Sequence, residues 1–146
     1  MHRKGDRLKA KARKNSSSLA GSSTGCFKSP VVFSFRSLDS SQHLKETFEC
    51  WEKEKLLVKL LNKIRAVSQK TMSEAMIDRI IKIYDSFPPK DKTAYSVPNY
   101  LSEELQWASM HLQGKAVIAG HVVENIFYIV FLDREHKFWK SKKKNT

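Results

Sequence analysis

The chain of 146 residues has two cysteines, five glycines and four prolines, and its longest apolar run is strand-sized. Each scarcity excludes something. Cys26 and Cys50 stand far apart in sequence and form no C-x-x-C pair, so neither a zinc knuckle nor a disulfide framework is expected. Both read as reduced thiols of a cytosolic protein. The few glycines form no phosphate-binding loop, and no nucleophile elbow or paired-carboxylate signature is present. Ile126 to Leu132, the longest apolar stretch, is far short of the ~20 residues that cross a bilayer. Carboxylates are also scarce: 15 Asp and Glu face 27 Lys and Arg, a net charge of +12.

The excess of positive charge lies at the two ends. Residues 1–28 carry eight Lys and Arg against one acid, and residues 140–146 add Lys140, Lys142, Lys143 and Lys144. The 111 residues between them hold 15 basic and 14 acidic side chains. A near-neutral core with cationic ends fits an acidic polymer, and nucleic acid is the expected partner. Arg3, Lys4, Arg7, Lys9, Lys11, Arg13 and Lys14 form the first basic cluster. Residues 15–28, rich in Ser and Gly, bury too little to offset ordering and read as a tether. The expected organisation is therefore a disordered basic arm and tether over 1–28, one domain over 29–139, and a basic tail over 140–146. The start lacks the apolar stretch of a secretory signal. Its Arg-, Lys- and Ser-rich composition overlaps with mitochondrial transit peptides, although Asp6 and few apolar residues weaken an amphipathic helix there. The expected location is the cytoplasm, with no membrane partner, and an organellar presequence is the competing reading.

The pattern inside the domain alternates between periods. Val31-Val32-Phe33-Ser34-Phe35 predicts a half-buried strand. Leu38-Asp39-Ser40-Ser41 supplies capping residues for a helical stripe through Leu44, Phe48 and Trp51, continued by Leu57, Leu60, Leu61 and Ile64. The charged Glu52-Lys53-Glu54-Lys55 predicts a shift or a bend. Ser73 is the expected cap of a second helix, with Met76, Ile77, Ile80, Ile81 and Tyr84 as its buried stripe and Pro88-Pro89 as its stop. Residues 85–100 read as a loop, and 101–112 as a short helical turn leading into a strand. Residues 115–123 and 126–132 are two apolar runs joined by Glu124-Asn125, the spacing of a hairpin. The second run is apolar on both faces and predicts a central strand. Gly120 predicts a bulge or a close backbone approach. Asp133-Arg134-Glu135 reads as a turn and His136 to Trp139 as a final short strand. The fold class is α+β: an N-terminal strand, two helices, then an antiparallel sheet of three to four strands.

That order of elements, the size, the basicity, and the ending Phe127-Tyr128-Ile129-Val130-Phe131 followed by Asp133-Arg134-Glu135-His136-Lys137-Phe138-Trp139 resemble the RelE/HigB/YoeB group of small bacterial toxins over roughly residues 31–139. The ending also resembles that of uncharacterised proteins of bacteria and mobile elements. The toxin resemblance implies an endoribonuclease that cleaves messenger RNA on the ribosome, with an antitoxin protein as a further partner. It places His136, Lys137 and Tyr128 in the terminal region where that group carries functional side chains. The chain departs from the group in its N-terminal arm and in the longer 85–112 segment.

RNA transesterification needs a base for the 2′-proton, an acid for the leaving 5′-oxygen and cations around the phosphorane. His136 is the candidate acid/base, Tyr128 a second catalytic candidate, and Arg134 and Lys137 candidate phosphate clamps beside Lys140, Lys142, Lys143 and Lys144. The competing reading of this cluster is a solvated polar turn. The corresponding function is either RNA binding with RelE-like cleavage or a non-enzymatic accessory protein whose arms bind nucleic acid. No cofactor is expected. His111, His121 and His136 lack carboxylate or cysteine partners at ligand spacing, so no metal is expected. His121 reads as a satisfied histidine within the sheet. Trp139 with Phe138 reads as a stacking platform in a cationic setting or as core, whereas Trp51 and Trp107 read as core.

Overall fold

In the computed structural model, residues 27–42 and 46–140 are described. The expected basic arm over 1–14, most of the tether, and Lys142, Lys143 and Lys144 lie outside these residues. The elements run β1 (Val32–Ser34), α1 (Phe48–Lys53), α2 (Leu57–Val67), α3 (Met72–Ile77), β2 (Ile81–Ile83), a single 3-10 turn at Lys90–Lys92, β3 (Trp107–Gln113), β4 (Ala116–Val123) and β5 (Ile126–Asp133). The fold is α+β. Five strands form one mixed sheet in the order β1-β5-β4-β3-β2, one strand more than the sequence pattern suggests. The strands β2 to β5 are antiparallel to their neighbours, and β1 joins β5 in parallel.

The extra strand comes from the segment expected to prolong the second helix. That helix is capped at Thr71 rather than Ser73. Thr71 Oγ1 accepts from the Glu74 N–H, and the Glu74 carboxylate accepts from the Thr71 N–H, a reciprocal capping box. The helix ends at Ile77, and Arg79 takes the left-handed conformation with φ 61°. Ile81, Lys82 and Ile83 then pair with Met110, Ser109 and Ala108 of β3. Ile77, expected in the buried stripe, is 76% exposed.

The first helical segment also differs from its reading. Its cap is Thr47, whose hydroxyl accepts from the Cys50 N–H. Asp39 instead closes a local turn by accepting from Ser41 and Gln42. The expected bend falls at Lys55, which has φ 61° and separates α1 from α2. Leu60 is fully buried, whereas Leu61 is about half exposed.

The sheet is covered on both faces. On one, Phe127, Ile129 and Leu132 of β5 meet Trp51, Leu60 and Met72 of the helices. On the other, Trp107, Ala119 and Phe131 meet Tyr95 and Phe138, contributed by the 84–106 segment and the C-terminal turn. The two-sided apolar run is accordingly a central strand: β5 lies between β1 and β4, and Phe127 and Ile129 have no exposed surface. The β4–β5 hairpin turns through Glu124, at φ 57°, and Asn125.

Gly120 has the close approach its position suggests. Ala119 pairs with Phe131 and Gly120 with Ile129, so Val130 is an extra residue in β5. This bulge moves the next side chain to the opposite face. A Cβ at Gly120 would lie 1.8 Å from the Tyr128 carbonyl oxygen, which only glycine avoids. Residues 136–139, expected as a strand, are instead irregular, with a bend at Phe138 and Trp139 after the turn at 134–135.

Candidate nucleic-acid interface

The turn after β5 is organised by a buried carboxylate. Asp133 has no exposed surface. Its Oδ1 accepts from the Lys137 N–H at 2.9 Å and its Oδ2 from the Phe138 N–H at 2.8 Å. Tyr95 donates its hydroxyl to the same carboxylate. Burial raises the Asp133 pKa above the usual carboxylate range, against the lowering effect of these hydrogen bonds. The Tyr95 hydroxyl is pushed strongly upward by burial and by the charges of Asp133 and Glu46, and it stays protonated. The bonds curl the chain so that Phe138 enters the core while His136 takes φ 59° and Trp139 stays partly exposed.

A second carboxylate holds the same turn from the helical side. Glu46, only 6% exposed, accepts from the Arg134 N–H at 3.0 Å, from Arg134 Nε at 3.1 Å and from Trp51 Nε1 at 2.7 Å. Glu54 lies 3.6 Å from the other end of the guanidinium. Burial alone would lower the Arg134 pKa, but Glu46 and Glu54 hold it above its ordinary value.

Beside this turn lies a groove of about 510 Å³. Its floor is the non-helical face of three strands, because alternate residues of a strand share a face. Lys82 of β2 pairs with Ser109 of β3, and His111 pairs with Val117 of β4. Arg79 and Ile80 border the groove on the β2 side. Lys92, His136, Trp139 and Lys140 form the other border. The Lys140 N–H donates to the Lys92 carbonyl at 2.8 Å, which joins the C-terminal turn to the 3-10 turn.

The lining is one-signed. It includes Arg79, Lys82, Lys92, Lys140, His111 and His136 and no carboxylate. Among the described residues, none of these side chains forms an ion pair. Two of them, Arg79 and His136, stand at left-handed backbone positions, each aimed by a tight turn. The aromatic part is Tyr84 against Trp139, with ring centroids 4.7 Å apart and planes 11° from parallel. Tyr84 is fixed by a 2.9 Å hydrogen bond between its hydroxyl and that of Ser109, and Lys82 Nζ lies 5.3 Å from its ring centroid. Burial raises the Tyr84 pKa, and the Ser109 bond opposes this in part.

Of the residues expected at a site, His136 and Lys140 line this groove. Arg134 does not; its guanidinium is committed to Glu46 and Glu54. Lys137 gives its N–H to Asp133 and is not part of the groove lining. Tyr128 is remote from it, stacked on His121 at 4.9 Å and 14°. His121 is buried beside Trp107 as well, with neither ring nitrogen hydrogen-bonded to a described residue, contrary to the satisfied histidine expected. Burial lowers its pKa. Arg3, Lys4, Arg7, Lys9, Lys11, Arg13, Lys14, Lys142, Lys143 and Lys144 lie outside the described residues.

Sequence reasoning missed Arg79, Lys82, Tyr84, Lys92, Ser109 and His111. A signal was present in Ile81-Lys82-Ile83-Tyr84, whose strict alternation is strand-like. Among the described residues, no group of three or more His, Cys, Asp or Glu is placed to hold a metal. No described helix is long and apolar enough to cross a membrane. Compared with protein-family models, curated proteins and solved structures, the chain finds no match.

Proposed function

We propose that the protein binds RNA in the cytoplasm through the groove between β2 and the C-terminal turn. The observation that carries this reading is the lining itself: four Lys and Arg side chains and two histidines, with no acid, around a stacked Tyr–Trp pair. Cations hold phosphates by charge, and an aromatic surface accepts a base. The high positive charge of both chain ends adds sequence-independent attraction. The test is fluorescence anisotropy of a labelled RNA titrated with the full chain across a salt series. Lys82→Glu and Lys92→Glu are each expected to weaken binding and to flatten the slope of log affinity against log salt by about 0.7 for each phosphate that is no longer neutralised. Unchanged affinity and slope in both variants would remove the groove from the interaction.

A second reading is RelE-like cleavage of messenger RNA, with the ribosome and an antitoxin as partners. One observation favours it: His136 and His111 border the same groove as the cations. An imidazole serves as a general base or a general acid, so one ring would accept the 2′-proton and the other would protonate the departing 5′-oxygen. The element order, a first strand, helices and then an antiparallel run, is that on which the resemblance rests. Under this reading, His136→Ala and His111→Ala each lower cleavage about 100-fold or more in a primer-extension map made with and without ribosomes. Intact RNA with the wild-type protein under both conditions leaves a non-enzymatic binding protein.

A further inference from the structure

The Tyr84–Trp139 pair is held from several directions. Tyr84 is tied to β3 by its N–H on the Trp107 carbonyl and by its hydroxyl on Ser109. Its ring also meets Phe138, with centroids 5.9 Å apart. Trp139 directly follows Phe138, which is 1% exposed and bonded through its N–H to Asp133. The indole therefore has little freedom to leave Tyr84. It is partly exposed, and among the described residues it has no second aromatic partner. A rigid, partly solvated indole with one flat side stacked and the groove's cations around it is a surface matched to a second planar group.

We infer that Trp139 is the platform on which an unpaired nucleobase stacks, with Lys82, Lys92 and Lys140 around the adjoining phosphates, so that the ligand is single-stranded RNA. The inference rests on the RNA-binding reading above and narrows it. A base inside a duplex already has both faces covered by its neighbours and offers nothing to the indole. A single strand presents its bases, and stacking on an aromatic ring tolerates any sequence.

The test uses the full chain and three probes: a short oligouridylate, a duplex RNA of equal length, and inorganic polyphosphate. Trp51 and Trp107 have no exposed surface, so a change in tryptophan emission on binding reports on Trp139 among the described residues. Oligouridylate is expected to quench that emission, and polyphosphate to bind without quenching. Trp139→Leu should weaken oligouridylate binding about 5- to 150-fold, the range expected for removing a single base–aromatic stack, and leave polyphosphate affinity unchanged. Trp139→Phe, which keeps an aromatic face, should retain most of the affinity. Thermal unfolding of each variant establishes that it is folded. Oligouridylate affinity untouched by Trp139→Leu but reduced by Lys82→Glu would overturn the stacking inference and leave the groove reading standing. Duplex bound as tightly as single strand would overturn it likewise. Failure of every probe to bind would overturn both.

Discussion

Replacing Asp133 by Ala tests the architecture of the C-terminal turn. Three donors converge on this carboxylate, and their surroundings set the size of the effect. The Phe138 N–H is buried and has no other acceptor, so it carries a full desolvation penalty of about 1–3 kcal/mol. The Lys137 N–H is only part-buried and regains water, at a net loss of about 0.5–1.5 kcal/mol. Tyr95 keeps its second acceptor, the Leu132 carbonyl, and adds little. Removing a buried carboxylate also returns some of its desolvation energy, because burial already opposes its charged form. The expected net destabilisation is about 1–4 kcal/mol, read from urea unfolding followed by circular dichroism. A second consequence is specific to this arrangement. Without the carboxylate, Phe138 loses its anchor and Trp139 leaves Tyr84, so native tryptophan emission shifts to the red before global unfolding. Tyr95→Phe provides the control: it keeps both backbone bonds to Asp133 and should leave the emission unchanged. A loss below about 0.5 kcal/mol with unaltered emission would show that the turn holds its shape without Asp133.

Gly120→Ala should be among the most damaging small substitutions, since its Cβ would meet backbone of Tyr128 and Val130 rather than a movable side chain. The expected loss is about 3 kcal/mol or more, measured as a fall in the unfolding midpoint; an unchanged midpoint would refute the close approach. His121 should make stability depend on pH. Its pKa is lowered in the fold, so below the unfolded value of about 6.5 the unfolded chain binds the proton more readily, and stability falls with pH by up to about 1.4 kcal/mol per unit. The raised pKa of Asp133 acts in the opposite sense from the ordinary carboxylate range upward, so the quantity to compare is the wild-type slope minus that of His121→Phe. Equal slopes would mean that His121 does not titrate differently on folding.

The parts of the fold legible in the sequence are those set by local pattern. Ile126 to Leu132 is apolar at every position, which leaves no face for water and requires a covered strand. Gly120 and the Glu124-Asn125 spacing belong to the same hairpin and need no distant partner to be read. β2 fails this test. Ile80 and Ile81 continue the helical spacing of Met76 and Ile77, and only the left-handed Arg79 and pairing with Met110, Ser109 and Ala108 turn the segment into a strand. That pairing spans a long stretch of chain, and the alternation of Ile81 to Tyr84 is too short to outweigh the helical spacing that precedes it. Reading β2 as helix also concealed the groove, because Lys82 and Tyr84 reach its floor only as strand residues. Arg134 shows the reverse problem: its type suits phosphate, but Glu46 claims it from 88 residues away.

The parallel pairing of β1 with β5 has a kinetic consequence. Val32 meets Ile126 and Ser34 meets Tyr128, so the strand nearest the start of the domain finds its place only against the last one. During synthesis, the helices and β2 leave the ribosome while β1 still has no partner strand. β3 and β4 then emerge, yet the sheet remains open at that side until β5 arrives. Closing a loop of this length is entropically demanding, and contacts of high sequence separation slow folding. Folding should therefore complete after translation reaches the C-terminal turn, and the groove, whose border is made by that turn, is absent from every shorter nascent chain.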